Sequence, residues 1–360
     1  MRSESFAPPA IPAFDDEAAS AAQARQDALA KPPGSLGRLE DLAVAIAGLT
    51  GKRRPTVSSP TVVVAVADHG VADRGVSAYP PAVTRAMLGA FAREEAAVSA
   101  IADVVGADVV VVDAGVDGDP VGSPEGAASV VDERVGRGTA DLAADPAMTR
   151  PDAVAALEAG VRTARTKLAD ADLVALGDMG IGNTTVAAAV TAAVTGTDPA
   201  RVTGHGTGVD DDGRAHKVAI VERALNRADL AAPSTVDPVT ILRQVGGYEV
   251  GLLAGVALGC AADRTPVVVD GVVSGAAALL ADAVDGAVRP YLLPSHAGAE
   301  PGHAIQLGAL DLDPLFDHDL RLGEGSGAAL AIATYRAACA THDRMATLAD
   351  LTAADRTTDG

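Results

Sequence analysis

Short runs of Val, Leu and Ala alternate along the chain with longer Ala-rich stretches whose apolar positions recur every three or four residues. The short runs read as buried strands and the longer stretches as helices. Strands are predicted over 61–66, 107–113, 172–176, 265–270 and 290–294. One helix opens on the acidic Asp15-Asp16-Glu17 and reaches Ala30, and a second covers Leu39 to Leu49 before Gly51. A third sets Val83, Met87 and Phe91 on one face, and a fourth spans about 151–169. Another carries His216 and Lys217 above an apolar face of Val218, Val221 and Leu225. Further helices follow Thr185, Gly246-Gly247-Tyr248-Glu249 and Ser274, and the last runs through Ala340.

Strand–helix alternation of this kind predicts an α/β fold, a three-layer, mostly parallel sheet of the Rossmann-like type. The two N-terminal helices and the last helix are expected to form a small helical lobe. The corresponding units are 1–55 (arm and helices), 56–325 (large α/β domain) and 326–360 (final helix and tail). Residues 117–150 read as an excursion from the sheet, and the last ten or so as a frayed tail. No internal repeat is evident.

Composition sharpens this picture. Apolar residues make up 48% of the 360 and aromatics only 2%, so the core must be built from Ala, Val and Leu. A net charge of −20 argues against binding nucleic acid or an anionic membrane. Cys260 and Cys339 sit in apolar helical stretches and suggest no disulfide framework, which fits a reducing cytoplasm. No signal peptide is expected at the N-terminus, and no run reaches the ~18 apolar residues of a membrane span.

Candidate chemistry centres on Gly177-Asp178-Met179-Gly180-Ile181-Gly182-Asn183-Thr184-Thr185. A strand, a glycine turn and a helix start aim backbone N–H groups at a phosphate. The run is neither a Walker A loop nor a dinucleotide fingerprint, and by itself it reads equally as a turn that binds nothing. Asp68-His69, Asp113, Asp178, Asp270 and Ser295-His296 all follow predicted strands. They therefore collect at the carboxyl edge of the sheet, where open α/β folds bind ligands.

Six ordered stretches resemble one family. They are Lys31-Pro-Pro-Gly-Ser-Leu-Gly-Arg-Leu-Glu40, Ala67-Asp-His-Gly-Val71, Gly177–Thr185, Gly246-Gly-Tyr-Glu249, Ser295-His296 with Ala299-Glu-Pro-Gly-His303, and Arg321–Gly327. The family is that of the nicotinate-nucleotide–dimethylbenzimidazole phosphoribosyltransferases, and the resemblance spans roughly residues 12–340. It implies transfer of the phosphoribosyl group of nicotinate mononucleotide to 5,6-dimethylbenzimidazole in cobalamin assembly. It also implies a cytoplasmic homodimer with no metal and no cofactor. An enzyme of the same fold acting on adenine, another benzimidazole or a phenol is the nearest alternative, and a non-catalytic nucleotide-binding homologue is a more distant one.

By the same resemblance Glu324 is the general base, and Asp178, where many relatives carry Glu, supports the sugar cation. Taken alone, Glu324 reads equally as an acid favoured at a helix N-terminus. Gly180, Gly182, Asn183, Thr184, Thr185 and Lys217 are the expected phosphate and ribose residues. Tyr79, Met87 and Leu322 are expected to wall the base pocket. Two departures stand out: Ala86-Met87 where relatives carry Gln, and Gly298 where they often carry Ser. His296, Glu300 and His303 lack the spacing of a zinc site.

Overall fold

A computed structural model describes residues 3–121, 130–230 and 236–352. The chain begins with α1 (Asp16–Ala28) and α2 (Arg38–Thr50), then enters β1 (Pro60–Ala67). Next come α3 (Ala82–Ala92), α4 (Ala97–Val105), β2 (Asp108–Gly115), β3 (Val131–Asp132) and α5 (Arg150–Lys167). The centre holds β4 (Leu173–Met179), α6 (Asn183–Thr195), α7 (Pro199–Val202), α8 (Asp211–Arg227), α9 (Pro238–Val245) and α10 (Tyr248–Ala262). The last elements are β5 (Val267–Val268), α11 (Val272–Val284), β6 (Leu292–Leu293), α12 (Pro301–Leu310) and α13 (Ser326–Arg344). The predicted tail beyond 352 and residues 122–129 of the excursion lie outside the described residues.

The six strands form one sheet in the order β3-β2-β1-β4-β5-β6, and every pairing is parallel. All eight residues of β1 are buried. A central parallel strand covered on both faces needs a continuous apolar run, which explains the uninterrupted Val stretch. The chain leaves β1 towards β2 on one side and later returns to β4 on the other. The crevice between β1 and β4 is thus the topological switch point, where such sheets bind ligands.

Small residues let the covering helices approach closely. A Cβ on Gly160 of α5 would lie 2.6 Å from the Val256 nitrogen, and one on Gly255 of α10 would lie 3.0 Å from the Gly160 Cα. α10 and α11 are buried along almost their whole length. These Ala-rich helices are therefore core and are not available as a dimer surface. α13 packs against α2, α4 and β4, while Arg25 of α1 donates to the carbonyls of His342, Asp343 and Met345 at the far end of α13.

The elements differ from the sequence expectation in three ways. β4 continues through Gly177-Asp178-Met179, because Val64, Ala65 and Val66 of β1 supply partners for all three. β5 and β6 are two residues each, since only Val267–Val268 and Leu292–Leu293 find register at this edge of the sheet. β3, which returns part of the expected excursion to the sheet beside β2, and α4, α7, α9 and α12 are not foreseen. Among the described residues, no helix is long and apolar enough to cross a membrane.

Candidate active site

The glycine run splits into strand and turn. Asp178 ends up on β4, Gly180-Ile181-Gly182 form the bend, and Gly182 sits at the head of α6 with φ 95°. No side chain caps α6, and of its first N–H groups those of Asn183 and Thr185 donate to the carbonyls of Gly180 and Gly182 at 3.0 Å. Thr84 of α3 fixes the bend by accepting from the Ile181 N–H at 3.0 Å. Asn183 Nδ2 donates to Asp178 Oδ2 at 2.9 Å.

Lys217 on α8 is fully buried, and its Nζ donates to Thr184 Oγ1 at 3.0 Å. Burial lowers its ammonium pKa, and the charge of Glu300 works against that shift. Glu300 itself accepts from the Gly206 N–H at 2.7 Å. A helix N-terminus and a desolvated ammonium thus meet at Thr184, an arrangement suited to a phosphate.

The second predicted element reaches the same place. Glu324 adopts φ 62°, and its N–H donates to the carbonyl of Asp178 at 3.2 Å. A Cβ on Gly177 would meet the backbone of Glu324 and Gly325, so glycine is required where the two segments touch. The carboxylate of Glu324 turns to the start of α4 and accepts from the Val98 N–H at 3.3 Å. Burial raises its pKa, and the N–H groups of Val98 and Ala97 restrain the rise.

Further acids lie alongside. Asp178 is 6% exposed, and burial holds its pKa well above the carboxylate range, with the charges of Asp270 and Glu249 adding to the effect. Asp270 follows β5 and is pushed up to about 7 by burial, against hydrogen bonds from the backbone at the start of α13. Glu249 pairs with His69 at 3.1 Å, both side chains inaccessible to solvent. Burial works to lower the His69 pKa, but Glu249 and the charge of Asp68 together outweigh it and the net shift is upward.

A cavity runs over these groups. It is lined by Asp178, Gly180, Asn183 and Thr184 from β4 and α6, by Asp270, and by Gly323 and Leu322. His296, Gly298 and His303 close another wall. The Gly298 N–H donates to His303 Nδ1 at 2.9 Å, which leaves the ring proton on Nε2. Burial pushes the His303 pKa down to about 4, so the ring is neutral. A Cβ on Gly298 would lie 2.7 Å from His303 Nδ1 and 3.4 Å from His296 Nε2. The His303 imidazole therefore takes the space that a side chain at position 298 would need.

Leu322 at the mouth is 56% exposed. Tyr79 is equally exposed, on a loop tied to the site through Thr207, which accepts from the Ala78 N–H at 3.0 Å. Met87 is half-buried on α3, one turn beyond Thr84. Asp178, Gly180, Asn183, Thr184 and Leu322 line the cavity directly. Gly182, Lys217 and Glu324 stand immediately behind that lining, and Thr185 is wholly buried. Tyr79 and Met87 flank the site without lining it.

Asp270 and the His69–Glu249 pair are the groups that sequence reasoning left without a role. Their position after predicted strands, or in an ordered motif, was the available signal. Among the described residues, no group of three or more His, Cys, Asp or Glu is arranged to hold a metal.

Comparison with known proteins agrees with this geometry. Residues 11–352 match a family model described as "Phosphoribosyltransferase". A nicotinate-nucleotide–dimethylbenzimidazole phosphoribosyltransferase of Roseiflexus sp. (strain RS-1) is 51% identical over 338 residues, covering 94% of each chain. One of the same name from Deinococcus radiodurans is 47% identical, covering 92% of this chain and 91% of its own. The crystal structure of CobT from Thermus thermophilus superimposes with a TM-score of 0.88 at 44% identity, over 93% of this chain and 98% of that one. With this coverage, and with three of the six motifs lining one cavity, the chain belongs to the nicotinate-nucleotide–dimethylbenzimidazole phosphoribosyltransferase family.

Proposed function

We propose that the protein transfers the phosphoribosyl group of nicotinate mononucleotide to 5,6-dimethylbenzimidazole. The products are α-ribazole 5′-phosphate and nicotinate, and the enzyme is a pentosyltransferase of cobalamin assembly. The observation that carries this reading is the 3.2 Å hydrogen bond from the Glu324 N–H to the Asp178 carbonyl. It joins the anion-binding bend and the candidate base over one cavity.

Each group has a role in the displacement. The start of α6 and Lys217 hold the 5′-phosphate through Thr184. A benzimidazole nitrogen attacks C1′ as the C1′–nicotinate bond breaks, and the bonding pair leaves with the pyridine nitrogen. The attack inverts C1′, so a β-nucleotide gives an α-nucleotide. The other ring nitrogen of the acceptor loses its proton to Glu324, whose raised pKa improves it as a base. Asp178, whose pKa burial and the neighbouring acids raise, stabilises the positive charge that builds on the sugar in its ionised form. Leu322 lines the cavity and offers an apolar wall for a flat acceptor, with Tyr79 and Met87 flanking it. This reading includes a homodimer in a reducing cytoplasm, and the two buried, unbridged cysteines support the compartment.

Incubation of the purified protein with both substrates tests the reading by chromatographic detection of nicotinate and α-ribazole phosphate. Glu324→Gln is expected to lose turnover by about 10²-fold or more, on the order of a general-base contribution, and to keep nucleotide binding. Unchanged turnover in that variant would remove Glu324 from the mechanism.

A further inference from the structure

The Asp270 carboxyl is divided between two environments. Its Oδ1 accepts from the Ala328 N–H at 2.8 Å, which ties it to the first turn of α13 directly after the Glu324 segment. Its Oδ2 is buried and has no hydrogen-bond partner among the described residues. The residue is 1% exposed, yet it lines the same cavity as Asp178 and Thr184. Leaving a buried carboxyl oxygen unpaired is costly, so the site reserves an acceptor for something that enters.

The identity of that entrant follows from the neighbours. A phosphate is excluded, because a carboxylate repels it and the helix N-terminus with Lys217 lies at Thr184 instead. His296 does not satisfy Asp270 either. Its Nδ1 stands 3.9 Å from Oδ1 and is engaged with Ser295 Oγ at 3.0 Å. Burial also lowers the pKa of that ring, which leaves it neutral. What remains is a hydroxyl donor carried between the phosphate and the base, and a ribose offers two.

We propose that Asp270 is a ribose-binding residue whose free Oδ2 accepts a hydrogen bond from one hydroxyl of the nucleotide's 2′,3′-diol. This rests on the assignment of the cavity to nicotinate mononucleotide. The hydrogen bond positions C1′ above Asp178, on the neighbouring strand, and beside the segment that carries Glu324. Because α13 holds the other oxygen, the carboxyl cannot rotate away, and the sugar is oriented as well as held.

The test compares calorimetric affinities of wild type, Asp270→Asn and Asp270→Ser for nicotinate mononucleotide and its 2′-deoxy and 3′-deoxy analogues. Nicotinate release is followed in parallel. Asn keeps a carbonyl oxygen for the Ala328 N–H, and thermal unfolding confirms that each variant is folded. Both variants are expected to bind the ribonucleotide about 10- to 100-fold more weakly, the range for a hydrogen bond to a charged group. Wild type should lose a similar factor on one deoxy analogue, and on that analogue all three proteins should agree within about twofold.

An equal loss on all three nucleotides in both variants would overturn the proposal. So would undiminished wild-type affinity for both analogues, whatever the variants do. Failure of the functional reading looks different: wild type then releases no nicotinate from the ribonucleotide in the presence of the base.

Discussion

Gly177→Ala probes the contact on which the site depends without touching a ligand. The added Cβ would lie 2.7 Å from the Glu324 carbonyl carbon and 2.9 Å from the Gly325 nitrogen, both backbone atoms, and closer still to the Glu324 oxygen. Ordinary contact begins at 3.4 Å, so the carbon alone requires a parting of 3.4 − 2.7 = 0.7 Å. β4 is the less free to supply it, because Gly177 is in register with Val64 of the central strand and its neighbours Leu176 and Asp178 with Val63 and Ala65. The Glu324 segment must move, and with it the carboxylate held by α4.

Overpacking of this kind destabilises by about 1–3 kcal/mol. A misplacement near 1 Å is enough to slow turnover by about 10²-fold. The expected result is a large fall in kcat with the KM for nicotinate mononucleotide little changed, since Lys217 and Thr184 stay in place. Steady-state nicotinate release measures both, and thermal unfolding reports the stability. Gly308→Ala on α12, where a Cβ meets nothing within 4 Å, is the control and should be neutral or slightly stabilising. A kcat for Gly177→Ala within a few-fold of the parent would refute the claim that this backbone contact positions Glu324.

Lys217→Met is expected to raise the KM for nicotinate mononucleotide more than it lowers kcat, because it removes a phosphate partner that acts in ground and transition states alike. An unchanged KM would detach Lys217 from the phosphate. Asp270→Asn should alter the pH dependence of stability. The folded pKa of Asp270 is raised to about 7 from an ordinary 3.8, so the folded state holds more protons within that window. The contribution is complete below the lower value and is lost as pH rises through the upper one. The variant should therefore gain Tm relative to wild type at pH 8 compared with pH 5, and a Tm difference independent of pH would contradict the burial argument.

Much of the site was legible along the chain because its parts are local. The Val run of β1, the glycine bend before α6 and the acid between Gly323 and Gly325 each declare themselves within a few residues. Their spacing was enough to expect a sheet with ligands at its carboxyl edge, and the ordered motifs were enough to expect the family. Lys217, a basic residue after a glycine-rich loop, is likewise a local signal, and the fold sets it against Thr184.

What the tertiary structure alone decided concerns partners far apart in sequence. Glu324 is held by Val98 at the start of α4, a contact between residues 226 positions apart. Glu249 meets His69 across the base of the bend, and Asp270 meets the first turn of α13. The length of β4 and the shortness of β5 and β6 depended on which neighbours came into register. A residue's intrinsic conformational preference is written in its near neighbours. The burial that raises a carboxyl's pKa, and the choice of which oxygen stays free, arise only when distant segments exclude water together.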